Sequence, residues 1–356
     1  MPLKRARVSS SPVGHRDPPR ILIVDDSVVA RAVITRAIEA SGRFVVAGAV
    51  AHATAALAFL RDNAVDGILL DIEMPGVDGL TALPDLIAAS GDAKVLIVSS
   101  SCGDGAAATI EALALGAADT LVKPDVGGFA GKFSSVLDEK LTRLFEVAPV
   151  AHQAVPLAHE PMGAGFDIVA IGASTGGIHA LSLLLREIPA SFPVPILITQ
   201  HLPESFMPYF AAQVAVLSGR PCDVAVDHMR IRPGRVIVAP GNAHMRCVSA
   251  GDGASIRLST KPARSGCMPS VDPMFDSVAE VFGARALAIV LSGMGRDGSD
   301  GARRIIDRAG SVVVQDQASS VVWGMPGAVA ASGIASAIMP PTEIGRMVAT
   351  RRRPGC

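Results

Sequence analysis

The chain has 356 residues, with 32 Lys and Arg against 33 Asp and Glu and a mean hydropathy of +0.42. That length accommodates two domains with separate cores, and a net charge of −1 built from both signs excludes a polyanion or an anionic membrane as the main partner. No apolar run reaches the roughly 18 residues of a membrane span, and cysteines at 102, 222, 247, 267 and 356, with no C-x-x-C pair, exclude a disulfide framework or a cysteine zinc site and read as thiols of a reduced cytoplasm.

The first residues, MPLKRARVSSSPVGHRDPPR, are basic and carry prolines but no apolar segment follows. They read as a disordered tail over 1–19 and not as a secretory signal. From there short apolar runs alternate with helical spacing: ILIV (21–24), FVVAGAV (44–50), GILL (67–70), KVLIV (94–98) and TLV (120–122), the last followed by Phe129, Phe133, Val136, Leu137, Leu141 and Leu144. Five strands alternating with five helices predict one α/β domain over 20–145, its parallel sheet covered on both faces. Residues 146–165 carry prolines and glycines without a period and read as a linker.

A second α/β series occupies 166–350. Its expected strands are 167–172, 195–199, 235–239, 286–291 and 311–314, and its expected helices lie near 177–187, 204–217, 272–283 and 299–309. The Arg triplet at 351–353 reads as a solvated tail.

Asp25 and Asp26 close the first run and Asp71 closes the third. In an open parallel sheet the carboxyl ends of neighbouring strands line the ligand crevice, so three carboxylates converge there, a set suited to a hard divalent cation such as Mg²⁺. Ser99 and Lys123, after the fourth and fifth strands, are the hydroxyl and cation that a phosphorylated Asp71 needs as partners. Taken alone, Asp26 could equally be a helix cap.

The stretch IGASTGG, 171–177, has a serine where a dinucleotide-binding loop needs a bare glycine, and it also spells G-x-S-x-G. Ser174 is therefore either a nucleophile lifted on a strand-to-helix turn or a helix N-cap. A nucleophilic serine needs a base, and His201 in QHLP stands just past the next strand; His179 lies in the outgoing helix. An orienting acid is available as Asp297 in LSGMGRDGSDG, with Asp300 as the alternative, and the glycines there let N–H groups turn toward an oxyanion. His228 and His244 lack ligand spacing and read as structural.

Residues 20–145 resemble the receiver domain of two-component response regulators. IGASTGG, QHLP, PSVDPMF, LSGMGRDGSDG and QDQASSVVWGMPGA resemble the catalytic domain of the chemotaxis receptor methylesterase family, which joins a receiver to that domain through a linker. The resemblance implies a flavodoxin-like doubly wound receiver followed by an α/β doubly wound catalytic domain. It implies Asp71 as phosphoacceptor, Mg²⁺ held by Asp26, Asp71 and the main-chain carbonyl of Glu73 with Asp25 helping through water, and Ser99 and Lys123 as the phosphate's partners. It implies a cis Lys123–Pro124 bond. In the second domain it implies Ser174 as nucleophile, His201 as base, Asp297 as orienter, and Thr175 and the main chain at Met294 as transition-state support, with no cofactor. Ile178 and Leu202 depart from the common family pattern without removing a reacting group. The implied activity is phosphorylation-activated hydrolysis of glutamate γ-methyl esters on chemoreceptors, with glutamine deamidation as a second reaction. The implied partners are methylated chemoreceptor cytoplasmic domains and a chemosensory histidine kinase, for a cytoplasmic monomer that binds no nucleic acid and does not insert in the membrane. The competing class is a non-enzymatic regulator: a DNA-binding one would need a compact basic helix-turn-helix, and none follows the linker, while a scaffold that only docks partners would be expected to lack one of the three catalytic groups, and all are present.

Overall fold

A computed structural model describes residues 17–99, 103–123, 130–145, 161–162, 165–251, 253–350 and 353–354. Pro124, most of the expected linker and most of the N-terminal tail lie outside them.

The first apolar runs form β1 (Arg20–Val24), β2 (Val45–Val50), β3 (Gly67–Asp71), β4 (Lys94–Ser99) and β5 (Asp119–Val122). They make a parallel sheet in the order β2-β1-β3-β4-β5. Central strands β1, β3 and β4 are buried along nearly their whole length, which is why they read as continuous aliphatic runs instead of alternating ones. Helices α1 (Val28–Ser41), α2 (Ala53–Asp62), α3 (Gly79–Ser90), α4 (Gly103–Leu115) and α5 (Ala130–Phe145) cover the two faces. Ser27, not Asp26, caps α1, its Oγ accepting from the Ala30 N–H at 3.2 Å.

A two-residue strand β6 (Pro161–Met162) pairs antiparallel with β16 (Arg353–Pro354) at the far end of the chain. Arg353 is thus held through its backbone, where a solvated tail was expected. Between them the second sheet comprises β7 (Ile168–Ala173), β8 (Ile196–Gln200), β9 (Cys222–Val224), β10 (Val236–Val238), β13 (Ala286–Val290), β14 (Ser311–Gln315) and β15 (Ala337–Met339). All are parallel, in the order β15-β14-β13-β7-β8-β10-β9.

One face carries α6 (Gly177–Arg186), α7 (Met207–Ser218) and α11 (Pro341–Ala349). The other carries α8 (Val271–Phe282), α9 (Ser299–Asp307) and α10 (Met325–Ala331), with a hairpin of β11 (His244–Ala250) and β12 (Gly253–Ser259) outside the sheet. The expected doubly wound architecture is present in both halves. The strands and helices that periodicity passed over, β9, β15, α10 and α11, are short, and α10 and α11 each start at a proline in the first turn.

The chain enters the second sheet at β7, winds out to β9, then returns to β13 on the other side of β7. The order reverses between β7, β8 and β13, and the crevice of an open α/β sheet lies at the carboxyl ends of such a reversal.

The receiver packs over this crevice. Leu113 and Ala117 of its α4 end join one apolar cluster with Ile178, Leu181 and Met207. Polar contacts seal the seam: the Ala118 carbonyl accepts from the Gly176 N–H at 2.9 Å, and the Ala114 carbonyl accepts from Ser182 Oγ at 3.1 Å and meets His179 Nδ1 at 3.1 Å. Lys94 Nζ donates to the Val321 carbonyl at 2.8 Å, and burial lowers its pKa.

Candidate active site

Ser174 follows the last residue of β7, and its chain turns sharply through Gly176, whose φ of +75° is in the left-handed region. Gly176, not Ser174, is the N-cap of α6, and no side chain bonds to that helix end. The Ser174 hydroxyl is therefore not spent on capping, and it makes no hydrogen bond among the described residues. The turn is pinned by its main chain: Ser174 N–H donates to the Ser292 carbonyl at 3.0 Å, while Gln200 Nε2 donates to the Ser174 carbonyl at 2.9 Å. Gly293 stands so close that a Cβ there would lie 2.8 Å from Ser174 Cβ.

His201 follows β8, its N–H tied to the Ala173 carbonyl at 3.1 Å, so the ring rises from the same rim. Its Nε2 lies 2.8 Å from Asp297 Oδ2. Asp297, 2% exposed, is held by four further donors, Ser270 Oγ at 2.6 Å, the Val271 N–H at 2.8 Å, the Gly298 N–H at 3.1 Å and the Asp272 N–H at 3.4 Å. The fold thus unites His201 and Asp297 across 96 residues of sequence. Ser174 faces the same cavity as His201, about 420 Å³ in volume, without being bonded to it. Thr175 and Met294 line that cavity as well, and neither of their N–H groups is used in a hydrogen bond among the described residues. Asp300 is on the surface beside Arg264, and His179 lies against the receiver. His244 bridges the Ser270 N–H and the Lys261 carbonyl, a structural position.

In the receiver, Asp25, Asp26 and Asp71 bring carboxylate oxygens within 4.8 Å of one another. Lys123 Nζ lies 2.6 Å from Asp71 Oδ2 and 3.2 Å from Asp25 Oδ2, yet Asp25 Oδ2 is buried without a hydrogen-bond partner. Three clustered carboxylates, of which two share the Lys123 cation and one keeps an orphaned acceptor, fit a hard, oxygen-seeking divalent ion. Burial raises the pKa of Asp71 in spite of the Lys123 bond. Ser99 Oγ is 3.0 Å from Thr109 Oγ1 on α4.

A model of the CheB methylesterase family matches residues 169–348, and a response regulator receiver domain model matches residues 21–126. The chain belongs to the CheB methylesterase family. It is 41% identical over 345 residues to a Caulobacter vibrioides protein named protein-glutamate methylesterase/protein-glutamine glutaminase 2, covering 94% of this chain and 99% of that one. A Paramagnetospirillum magneticum protein of the same name, numbered 1, is 39% identical, covering 94% and 96%. Among solved structures the catalytic domain of Thermotoga maritima CheB methylesterase is 31% identical with a TM-score of 0.51, covering 52% of this chain and 99% of that domain.

Within this CheB family chain the electrostatics of the cleft follow from burial and close partners. Burial opposes charge on His201, but the Asp297 carboxylate and the Cys267 side chain outweigh it, raising the imidazole pKa to about 9. Asp297 is driven well below the usual carboxylate range: burial works against its charge, and His201, Ser270 and the Val271 N–H overcome it. Burial and the neighbouring Asp297 push Asp272 up to about 7.

Sequence reading missed Ser270, Cys267 and Gln200. Ser270 and the Val271 N–H belong to PSVDPMF, a motif that carries the family resemblance but whose role, holding the acid of another loop, has no signature in spacing. Gln200 was adjacent to His201 in QHLP and could have been suspected on that ground.

Proposed function

We propose that this chain is a protein-glutamate methylesterase, with protein-glutamine glutaminase as a second activity, held shut by its receiver until Asp71 is phosphorylated. The observation that carries the reading is the buried His201–Asp297 pair opening into a cavity shared with Ser174, in a family whose curated relatives bear that name along nearly the whole chain.

The chemistry follows from which atoms are spoken for. With His201 Nε2–H donated to Asp297, Nδ1 carries the lone pair and takes the Ser174 proton as Oγ attacks the γ-ester carbonyl. The N–H groups of Thr175 and Met294 supply donors for the oxyanion. Methoxide is a poor leaving group, so the imidazolium returns its proton to it and methanol departs. Water then repeats the sequence on the acyl-enzyme, leaving glutamate; an amide follows the same path with ammonia leaving.

Because the free base must be neutral, a pKa of about 9 for His201 makes kcat/KM rise with pH, about tenfold per unit below pH 9, and level off above it. Initial rates of methanol release between pH 6 and 10 check this. A profile flat from 6 to 9 would contradict a base whose pKa is held up by Asp297 and Cys267.

For the switch, Asp25, Asp26, Asp71 and the Glu73 carbonyl would hold Mg²⁺, which supplies charge neutralisation for phosphoryl transfer to Asp71. The new phosphoryl oxygens recruit Lys123 and draw Ser99 Oγ away from Thr109. Thr109 is on α4, whose end presents the carbonyls of Ala114 and, just beyond, Ala118 to the nucleophile turn and α6. Displacing that end frees the Gly176 N–H and uncovers the cavity, whose receiver-side wall includes Leu113, Ala118, Asp119 and Lys140. Asp71→Asn is expected to keep the basal methanol release from methylated chemoreceptor membranes while losing all stimulation by a small phosphodonor. Stimulation equal to wild type would refute control through Asp71.

A further inference from the structure

Cys267 takes no part in the bond-making steps above, yet it stands in the cleft beside His201. It lines the cavity with Ser174 and His201. Its thiol, a histidine nitrogen and an Asp297 oxygen all lie within 4.8 Å of one another. The three residues come from separate loops: after β8, before α8 and after β13. The loop position of Cys267 is set by its N–H donating to Ser265 Oγ at 3.3 Å, and beside its interaction with His201 the sulfur makes only a long 3.9 Å contact to the Ser265 carbonyl among the described residues. The sulfur is therefore available to a stronger partner.

We propose that His201, Cys267 and Asp297 form an inhibitory transition-metal site fitted to Zn²⁺. Nitrogen, sulfur and oxygen ligands in one cluster select a borderline-soft ion over Mg²⁺, and spacing along the chain gave no hint of it because the ligands meet only in the fold. Binding is an acid–base exchange without redox chemistry. The Cys267 thiol loses its proton to solvent, and the ion takes the place of the proton between His201 Nε2 and Asp297 Oδ2, which leaves the ring N–H on Nδ1. The 2.8 Å between those two atoms opens to roughly 3.3 Å, the edge of a tetrahedron with bonds near 2.0 Å. A fourth position on the cavity side is left for water. Nδ1, the nitrogen proposed above to take the Ser174 proton, then bears a proton itself and can no longer act as a base, so turnover stops. The existence of the site rests on these residues alone; only its inhibitory consequence rests on the hydrolase reading.

The test uses the full chain at pH 8 in excess Mg²⁺, which saturates the all-oxygen receiver site. Co²⁺ is titrated as a spectroscopic probe without substrate, and Zn²⁺ is titrated in the methanol assay. The expected result is a thiolate-to-cobalt charge-transfer band saturating at one Co²⁺ per chain, absent from Cys267→Ser although the other four cysteines remain. Zn²⁺ should inhibit wild type at concentrations at least tenfold below those needed for Cys267→Ser, which still hydrolyses the ester without added metal, and a chelator should restore activity. No band in wild type, a band that survives in Cys267→Ser, or equal Zn²⁺ sensitivity of the two chains would overturn the proposal. Because the cobalt spectrum needs no turnover, a failure of the site and a failure of the hydrolase reading are told apart.

Discussion

Replacing Ser174 with alanine is expected to lower methyl-ester turnover on the order of 10⁶-fold, the size of loss that follows removal of the nucleophile from a serine triad. The remaining His201–Asp297 pair and oxyanion donors cannot form an acyl-enzyme; they can only assist water, which leaves a small residual rate. The fold should tolerate the change, since the hydroxyl makes no hydrogen bond among the described residues and the turn is held by main-chain contacts to Ser292 and Gln200. Methanol release from methylated receptor membranes, with thermal denaturation as the folding control, measures it. Near-normal release from a folded Ser174→Ala chain would move the nucleophile elsewhere.

Asp297→Asn should cost roughly 10⁴-fold in kcat, through the wrong imidazole tautomer. The Asp297 carboxylate accepts from Ser270 Oγ and the Val271 and Gly298 N–H groups as well as from His201. An asparagine keeps its carbonyl at the Oδ1 position on Ser270 Oγ and the Gly298 N–H, and with its NH₂ in place of Oδ2 it loses the Val271 bond and turns a donor toward His201 Nε2. The ring must then accept at Nε2 and carry its proton on Nδ1, the nitrogen that has to receive the Ser174 proton. Substrate affinity should change little, because Asp297 is 2% exposed. Steady-state kinetics separating kcat from KM test this, and a loss below tenfold would show that Asp297 does not set the tautomer.

Much of this was readable before any coordinates because parallel sheets concentrate chemistry at strand ends. Asp71, Ser99, Ser174 and His201 each lie at, or one residue after, the end of a strand recognisable by its aliphatic run, so register and topology bring them to a rim. Asp297 was readable as a member of a glycine-rich loop, though separating it from Asp300 took the fold, which buries one and leaves the other beside Arg264. The β11–β12 hairpin was missed because it stands outside the main sheet. The Ala118 carbonyl on the Gly176 N–H could not be read at all, because main-chain groups have no letter in a sequence. The approach of Cys267 to His201 was hidden by the 65 residues between their positions.

Hydrolysis of a methyl ester of wild-type receptor in water enriched in ¹⁸O tests the central claim most directly. The account predicts methanol without ¹⁸O, one equivalent for each glutamate regenerated, with the label in the γ-carboxyl group and the rate raised by a phosphodonor. Methanol carrying the label, or receptor esters left intact by the phosphorylated chain, would contradict it.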